Sequence, residues 1–474
     1  MDLVLLIVLL FFLVLVIGAV WTHLAQASLR EMNIGAKLMR EKRYPDAEAH
    51  FQQLLTKRLP PGVEADTRRR LADTLDVLGK SNEAAAEREC AKTIIARNPR
   101  DAKAQEARGD LLKRKHQYDE ACEAYMLAIG KISMDRPRQA AIMAKLVFAH
   151  HEAGRTSEAL QWAKKSLANL PSPETHHIME RMAGYGYTDQ GDLEEAERHF
   201  QEALRLSDWA DNREEIANNL SILAGVQHKR GQFQEAIASC HQARKTFAGP
   251  VQLSYTIEKE CLRDMGCFDE ARAVMKQCRL VLDYDQPHLK RRMLALSAFG
   301  SAVIEVRADQ PDAALAFLEQ ARSGFEAETV SSDTWPPSPQ KGDDKMLLWC
   351  DATKSLALAQ RGDAQESRRL HESVLLRLPA LSGDRNSMSG VYNMLGSAAF
   401  ALSDLAESKA LFQQCLNYQF YPVGLASANH WLGETHLCLG ETDAARDFFR
   451  QAVAPGIDSL DARRAQARLS ELGR

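Results

Sequence analysis

Most features that mark a catalytic or nucleic-acid-binding protein are missing from this chain of 474 residues. It has nine cysteines, an odd number, and no two are spaced C-x-x-C. That excludes the disulfide framework of a small secreted domain and the paired-thiol zinc knuckle. Charge is nearly balanced, with 60 Lys and Arg against 64 Asp and Glu, so the basic excess that neutralises nucleic-acid phosphates is absent. Two short basic runs, Arg68 to Arg70 and Lys290 to Arg292, read as solvated helix faces. There is no G-x-x-x-x-G-K-[ST] phosphate loop, no H-E-x-x-H and no G-x-S-x-G elbow. Gly184, Gly186 and Gly191 lack dinucleotide-fingerprint spacing. The histidine pairs His150-His151 and His176-His177 are adjacent, so on a helix their side chains diverge by about 100° and do not share a metal. No catalytic residue, metal or cofactor is expected.

Long hydrophobic runs are also lacking, with one exception. From Leu3 to Val20, sixteen of eighteen residues are Leu, Ile, Val or Phe. No Asp, Glu, Lys or Arg falls between Asp2 and Arg30. As a helix this run is about 27–30 Å long, the thickness of a hydrocarbon core. Ala25-Gln26-Ala27 looks like a cleavage site, but the basic n-region of a signal peptide is missing and the run is too long. An uncleaved anchor over 1–27 is therefore expected. Arg30, Lys37, Arg40, Lys42 and Arg43 follow it, which by the positive-inside bias puts the carboxyl-terminal part in the cytoplasm and the amino terminus outside.

What the chain has in abundance is a repeat. Its clearest copy, 184–206, places Gly184, Gly191, Leu193, Ala196, Phe200 and Ala203 in a fixed frame. The frame recurs as Gly35, Ala47 and Phe51; Ala72, Gly79 and Ala84; Gly109, Ala121 and Tyr125; and Gly154, Ala159 and Ala163. Further copies carry Ala224, Gly231 and Ala236; Gly266, Ala271 and Met275; and Ala314, Leu318 and Ala321. The last three carry Gly362 and Ser367; Gly396, Ser408 and Phe412; and Gly433, Gly440, Ala445 and Phe449. Landmarks three and four apart share a helical face. Small residues let backbones approach, an aromatic fills the gap, and Gly ends the first helix before a cap such as Asp192. A single pair cannot bury its own apolar face, so the copies must stack.

This frame resembles the tetratricopeptide repeat family over about residues 28–455. The resemblance implies an all-α fold, an α-solenoid in the form of a right-handed superhelix of about eleven helix pairs, after one amino-terminal transmembrane helix. The expected layout is the anchor at 1–27, about eight repeats over 28–328, a Pro-rich exposed loop over 329–345, then 346–474 with about three repeats and a capping helix. Cys240 and Cys278 fall on packing landmarks and are expected in the core, with Cys261 close by. The layout is also similar to that of the lipopolysaccharide assembly protein B type, whose rubredoxin-like zinc module this chain lacks.

The family implies a surface for protein or peptide partners, formed by the first helices. By its geometry, the residues one and four after and three before the early small landmark face inward. In mid-array these are Phe148, His151, Arg181, Tyr185, Thr188, Ser221 and His228. A clamp for a carboxyl-terminal tail would need Asn at Ala36, Asp73, Asp110, Phe148, Tyr185 or Gly225, and none is there. The expected function is a single-pass, membrane-anchored scaffold that recruits a cytoplasmic protein. No nucleic acid, small-molecule substrate or enzymatic activity is expected. The alternatives are an envelope assembly or export component with the repeats in the periplasm, or a regulatory subunit of a membrane enzyme or protease.

Overall fold

The protein is described by a computed structural model. It covers residue 27 and residues 30–473, apart from 99–100, 116, 133–135, 170–172, 209–212, 250, 282–286, 330–339 and 382–383. The expected span at 3–20 lies outside the described residues, and among those described no helix is long and apolar enough to cross a membrane.

The described residues are helical throughout, with no strand among them. The pairs are α1 (30–40) with α2 (Tyr44–Leu55), α3 (Pro61–Val77) with α4 (Ser81–Arg97), and α5 (Ala102–Arg114) with α6 (Tyr118–Gly130). There follow α7 (Arg136–Glu152), α8 (Thr156–Asn169), α9 (Pro173–Gln190) and α10 (Leu193–Asp208). Next come α11 (Arg213–Arg230), α12 (Phe233–Thr246), α13 (Gln252–Asp264) and α14 (Phe268–Val281). The series continues with α15 (Pro287–Arg307), α16 (Pro311–Thr329), α17 (Gln340–Arg361) and α18 (Ala364–Arg377). It ends with α19 (Arg385–Ala401), α20 (Leu405–Tyr418), α21 (Pro422–Cys438), α22 (Thr442–Val453) and α23 (Leu460–Leu472).

Two compact units divide this array: residues 1–155 with 168–172, and residues 156–167 with 173–474. α17 already begins at Gln340, and Phe325 of α16 shares a core cluster with Cys350 of α17. Apolar packing continues across the place where the Pro-rich sequence interrupts the repeat.

Packing inside each pair follows one rule. In Gly35/Phe51, Gly109/Tyr125, Gly184/Phe200, Gly396/Phe412 and Gly433/Phe449 a glycine faces a ring sixteen residues further on. A Cβ at Gly184 would sit 2.7 Å from the Phe200 ring, and one at Gly396 would sit 3.0 Å from Phe412. These rings are wholly buried. Where the second residue is not aromatic the first is larger: Ala72 precedes Arg88, Ala224 precedes Cys240 and Ala302 precedes Leu318. Volume is traded between the two positions, as close packing requires.

The turns obey a backbone rule. Five residues before the buried Ala or Ser near the start of the second helix, the chain is left-handed in every pair where that position is described. Glycine takes that place at 79, 154, 191, 231, 266, 362 and 440. Lys42, Asp309 and Ser403 take it elsewhere, with φ of 58°, 56° and 60°. The hydrogen bonds are alike in both kinds, with Asp192 N donating to Tyr187 O at 3.0 Å and Asp404 N to Ala399 O at 2.9 Å. This is the Schellman closure of a helix. The expected cap is present too, since Glu195 N donates to Asp192 Oδ1 at 3.2 Å.

Cys240 and Cys278 are buried in the core as expected, and Cys261 is buried as well. Burial pushes the Cys240 thiol up to about 12 and the Cys278 thiol up to about 11.

Candidate functional site

In the second unit the carboxyl-terminal repeats return to the turns of earlier ones. The Tyr421 hydroxyl donates to Thr188 O at 3.3 Å, and Lys229 Nζ donates to the Tyr421 hydroxyl at 3.3 Å. Phe420 lies against Gly191, Ile457 against Gly231 and Leu460 against Gly266. Arg463 Nη2 donates to Met265 O at 2.5 Å, and Arg307 reaches Asp461 Oδ2 at 2.8 Å. At Gly191 and Gly231 the glycine serves twice: it supplies the positive φ, and its bare Cα admits the returning side chain.

That return helps enclose a cavity of about 610 Å³ lined from α13, α15, α17, α19 and α21 and from Ser459 and Asp461. The volume is that of a site for a drug-sized molecule or a few residues of peptide. One wall is apolar, with Leu296, Phe299, Val303, Met346, Trp349 and Met394. Trp349 is held in place by its neighbours. Its ring lies over Gly390 so closely that any Cβ there would collide, Nε1 donates to Ser387 Oγ at 3.4 Å, and Phe299 meets it edge-on at 6.2 Å. Gly390 therefore cannot be exchanged without moving the wall.

The α13 side of the cavity is charged, carrying Lys259, Glu260, Arg263 and Asp264. Arg263 Nε and Nη2 donate to Asp264 at 2.8 and 3.0 Å, and His228 Nε2 lies 2.8 Å from the same carboxylate. Burial pushes the Asp264 pKa up, but Arg263 and His228 outweigh it and hold the group ionised. Lys259 stands twelve residues before Ala271, where the repeat frame puts a small residue, and it is 4% exposed. Its ammonium reaches Glu260 Oε1 at 3.3 Å, and burial pushes its pKa down against that carboxylate's pull.

The first unit has a different inner face. Asp66, Arg69, Glu106 and Asp110 are almost wholly enclosed there, on α3 and α5. Arg69 lies 2.6 Å from Asp66 and 3.6 Å from Asp110, while Lys145 of α7 reaches Glu106 at 2.7 Å and Asp110 at 2.9 Å. The Tyr125 hydroxyl donates to Asp110 at 2.8 Å. Burial pushes the Asp66 carboxyl up, yet Arg69, Lys103 and Arg70 hold it well below the usual range. The basic run Arg68 to Arg70 is neutralised, with Arg68 on Glu64 and Glu87 and Arg70 on Asp66.

None of the seven residues expected to line a groove lines this cavity. Phe148 and His151 belong to the first unit, where Lys113 Nζ sits 4.3 Å over the Phe148 ring. In the second unit, Ser221 is wholly buried and donates to Ala217 O at 2.8 Å. Thr188 is 5% exposed and donates to Gly184 O at 2.8 Å. Arg181 pairs with Glu215, Tyr185 packs edge-on against Phe200 at 5.3 Å, and His228 is held by Asp264. Short polar side chains bond back to their own helix, and long ones find partners on the next. The cavity residues were missed, though one signal was available: Lys259 breaks the small-residue rule at its landmark.

Residues 183–207 and 389–420 each match a family model described as tetratricopeptide repeat. Both stretches are tetratricopeptide repeats. A comparison with curated proteins returned no match. Among solved structures, a Rap protein complexed with competence and sporulation factor is similar with a TM-score of 0.54 at 12% identity, over 78% of this chain and 99% of that one. A tetratricopeptide repeat protein from Parabacteroides merdae is similar at 15% identity and TM-score 0.39, over 63% and 99% of the two chains. A human IFIT1 dimer with m7Gppp-AAAA gives 12% identity and TM-score 0.44, over 87% and 94%. The first likeness is one of fold alone and extends over most of this chain.

Proposed function

We propose that this chain is a membrane-anchored tetratricopeptide scaffold, held by residues 3–20, whose second unit binds part of a cytoplasmic protein partner in its enclosed cavity. The observation that carries the reading is the Trp349 wall, an apolar face kept open by Gly390 inside a charge-balanced enclosure. Binding sites concentrate such preformed apolar surface with a few polar groups to fix orientation. The Rap protein, alike in fold, was crystallised with competence and sporulation factor, in keeping with a ligand-binding role for this architecture. Repeats occupy nearly all of the described chain, so its role is binding rather than catalysis. The charge downstream of residues 3–20 favours cytoplasmic repeats.

The test is affinity capture from membranes with the full chain against Trp349→Ala. The reading expects a protein that copurifies with the parent and falls by about tenfold or more with the variant, as loss of a buried aromatic anchor does. Equal recovery with both would refute it. Reporters of cytoplasmic and periplasmic folding fused after Arg474 check the orientation, and a periplasmic signal would overturn it.

A further inference from the structure

The polar groups around the cavity are almost all engaged with one another. Arg263 and His228 hold Asp264, and Arg307 holds Asp461. Gln419 accepts from Phe420 N and Tyr421 N, each at 3.0 Å, and donates to Ser389 Oγ at 3.0 Å. Lys259 and Glu260 differ. The Lys259 side chain is 5% exposed, yet its ammonium, with three protons to donate, makes one long bond of 3.3 Å among the described residues. The Glu260 side chain lines the cavity and keeps 32% exposure. A donor and an acceptor therefore stand side by side there, each with unused capacity, and unmet capacity at a buried charge is costly.

We infer that the Lys259–Glu260 pair and the Trp349 wall form a site for a small amphipathic zwitterion, an apolar amino acid or close relative. Its carboxylate would lie on Lys259, its ammonium on Glu260 and its side chain on the apolar wall. The charges lining the cavity balance, with Lys259, Arg263 and Arg307 against Glu260, Asp264 and Asp461. A ligand of net charge would add an uncompensated ion to this balanced lining, whereas a zwitterion adds none. Burial depresses the Lys259 pKa while Glu260 raises it, and a bound carboxylate would act in the same direction as Glu260.

The inference rests on the cavity being the binding site of the second unit, and it is tested without a protein partner. The full chain in lipid nanodiscs is titrated calorimetrically with L-tryptophan, with indole-3-propionate, which lacks the ammonium, and with tryptamine, which lacks the carboxylate. Tryptophan should bind saturably and each analogue at least about tenfold more weakly, the usual penalty for leaving a buried charge unpaired. Lys259→Met should remove the preference over tryptamine, and Glu260→Gln the preference over indole-3-propionate, each leaving the other preference in place. Indole-3-propionate or tryptamine binding within about threefold of tryptophan would overturn the proposal, because the site would then be one for a simple ion. Absence of saturable binding by all three would overturn it too. A protein captured through Trp349 by a chain that binds no zwitterion would keep the scaffold reading and sink this one.

Discussion

Gly184→Ala is the sharpest probe of how the repeats pack. On helix propensity alone the change should stabilise α9 by up to about 1 kcal/mol. Against that, the new Cβ would sit 2.7 Å from Phe200 Cε1 and Cζ, and no real Cβ approaches so closely. Phe200 is 1% exposed, so its ring has nowhere to retreat. Overpacking of this kind costs about 1–3 kcal/mol, so after the propensity gain a net loss of up to about 2 kcal/mol is expected. Phe200→Leu alone should also cost about 1–2 kcal/mol, by leaving a cavity. The double variant reproduces the Ala302 and Leu318 combination found in another pair, and should be less harmed than the sum by about 1 kcal/mol or more. Global unfolding of a stacked array is not two-state, so the readout is hydrogen exchange at peptides from α9 and α10. Faster exchange in each single variant, with recovery in the double, is the expected pattern. Slower exchange in Gly184→Ala would mean that propensity outweighs packing and would refute the volume-trading account.

Three further outcomes follow from particular residues. Ser403→Gly and Asp309→Gly should each slow local hydrogen exchange by an amount matching about 0.5–1 kcal/mol, because both residues sit at φ near 60° where a Cβ is penalised. Folding lowers the pKa of Asp66, Glu106 and Asp110, so their stabilising effect is present above the unfolded carboxylate pKa and lost as pH falls through the folded values. Arg69→Met should therefore cost up to about 3 kcal/mol by removing the nearest cation from buried Asp66, and should move the acid transition of the first unit to higher pH in a circular-dichroism titration. Under native conditions iodoacetamide should label Cys90 and Cys438, which are exposed, and spare Cys240, Cys350 and Cys415. Burial raises those three thiols to about 12, 12 and 11.

Helix pairing was legible because it is written at short range. Glycine, Ala and aromatic landmarks recur every few residues, and each has a local physical cause. The turn at Ser403 was harder to read, since only its backbone shows that it does a glycine's work. The boundary between compact units was not legible at all: a Pro-rich stretch marks where sequence changes character, while α16 and α17 still share a core. The cavity escaped for a related reason. It depends on Tyr421 meeting Thr188, 233 residues away, and on Asp461 meeting Arg307, 154 residues away. Periodicity reports neighbours, not a chain that returns to its earlier turns. Tyr185 illustrates the cost, since the frame left it free for a partner while the structure packs it against Phe200.

The central claim, that the Trp349 cavity takes the partner, is tested most directly by placing a photo-crosslinking amino acid at Met346 in the full chain, within native membranes. Position 346 lines the cavity, while Glu123, on α6 of the first unit, supplies a control. The account predicts a discrete crosslinked protein from position 346 and none from position 123. The same adduct from both positions, or none from 346 while 123 reacts, would contradict it.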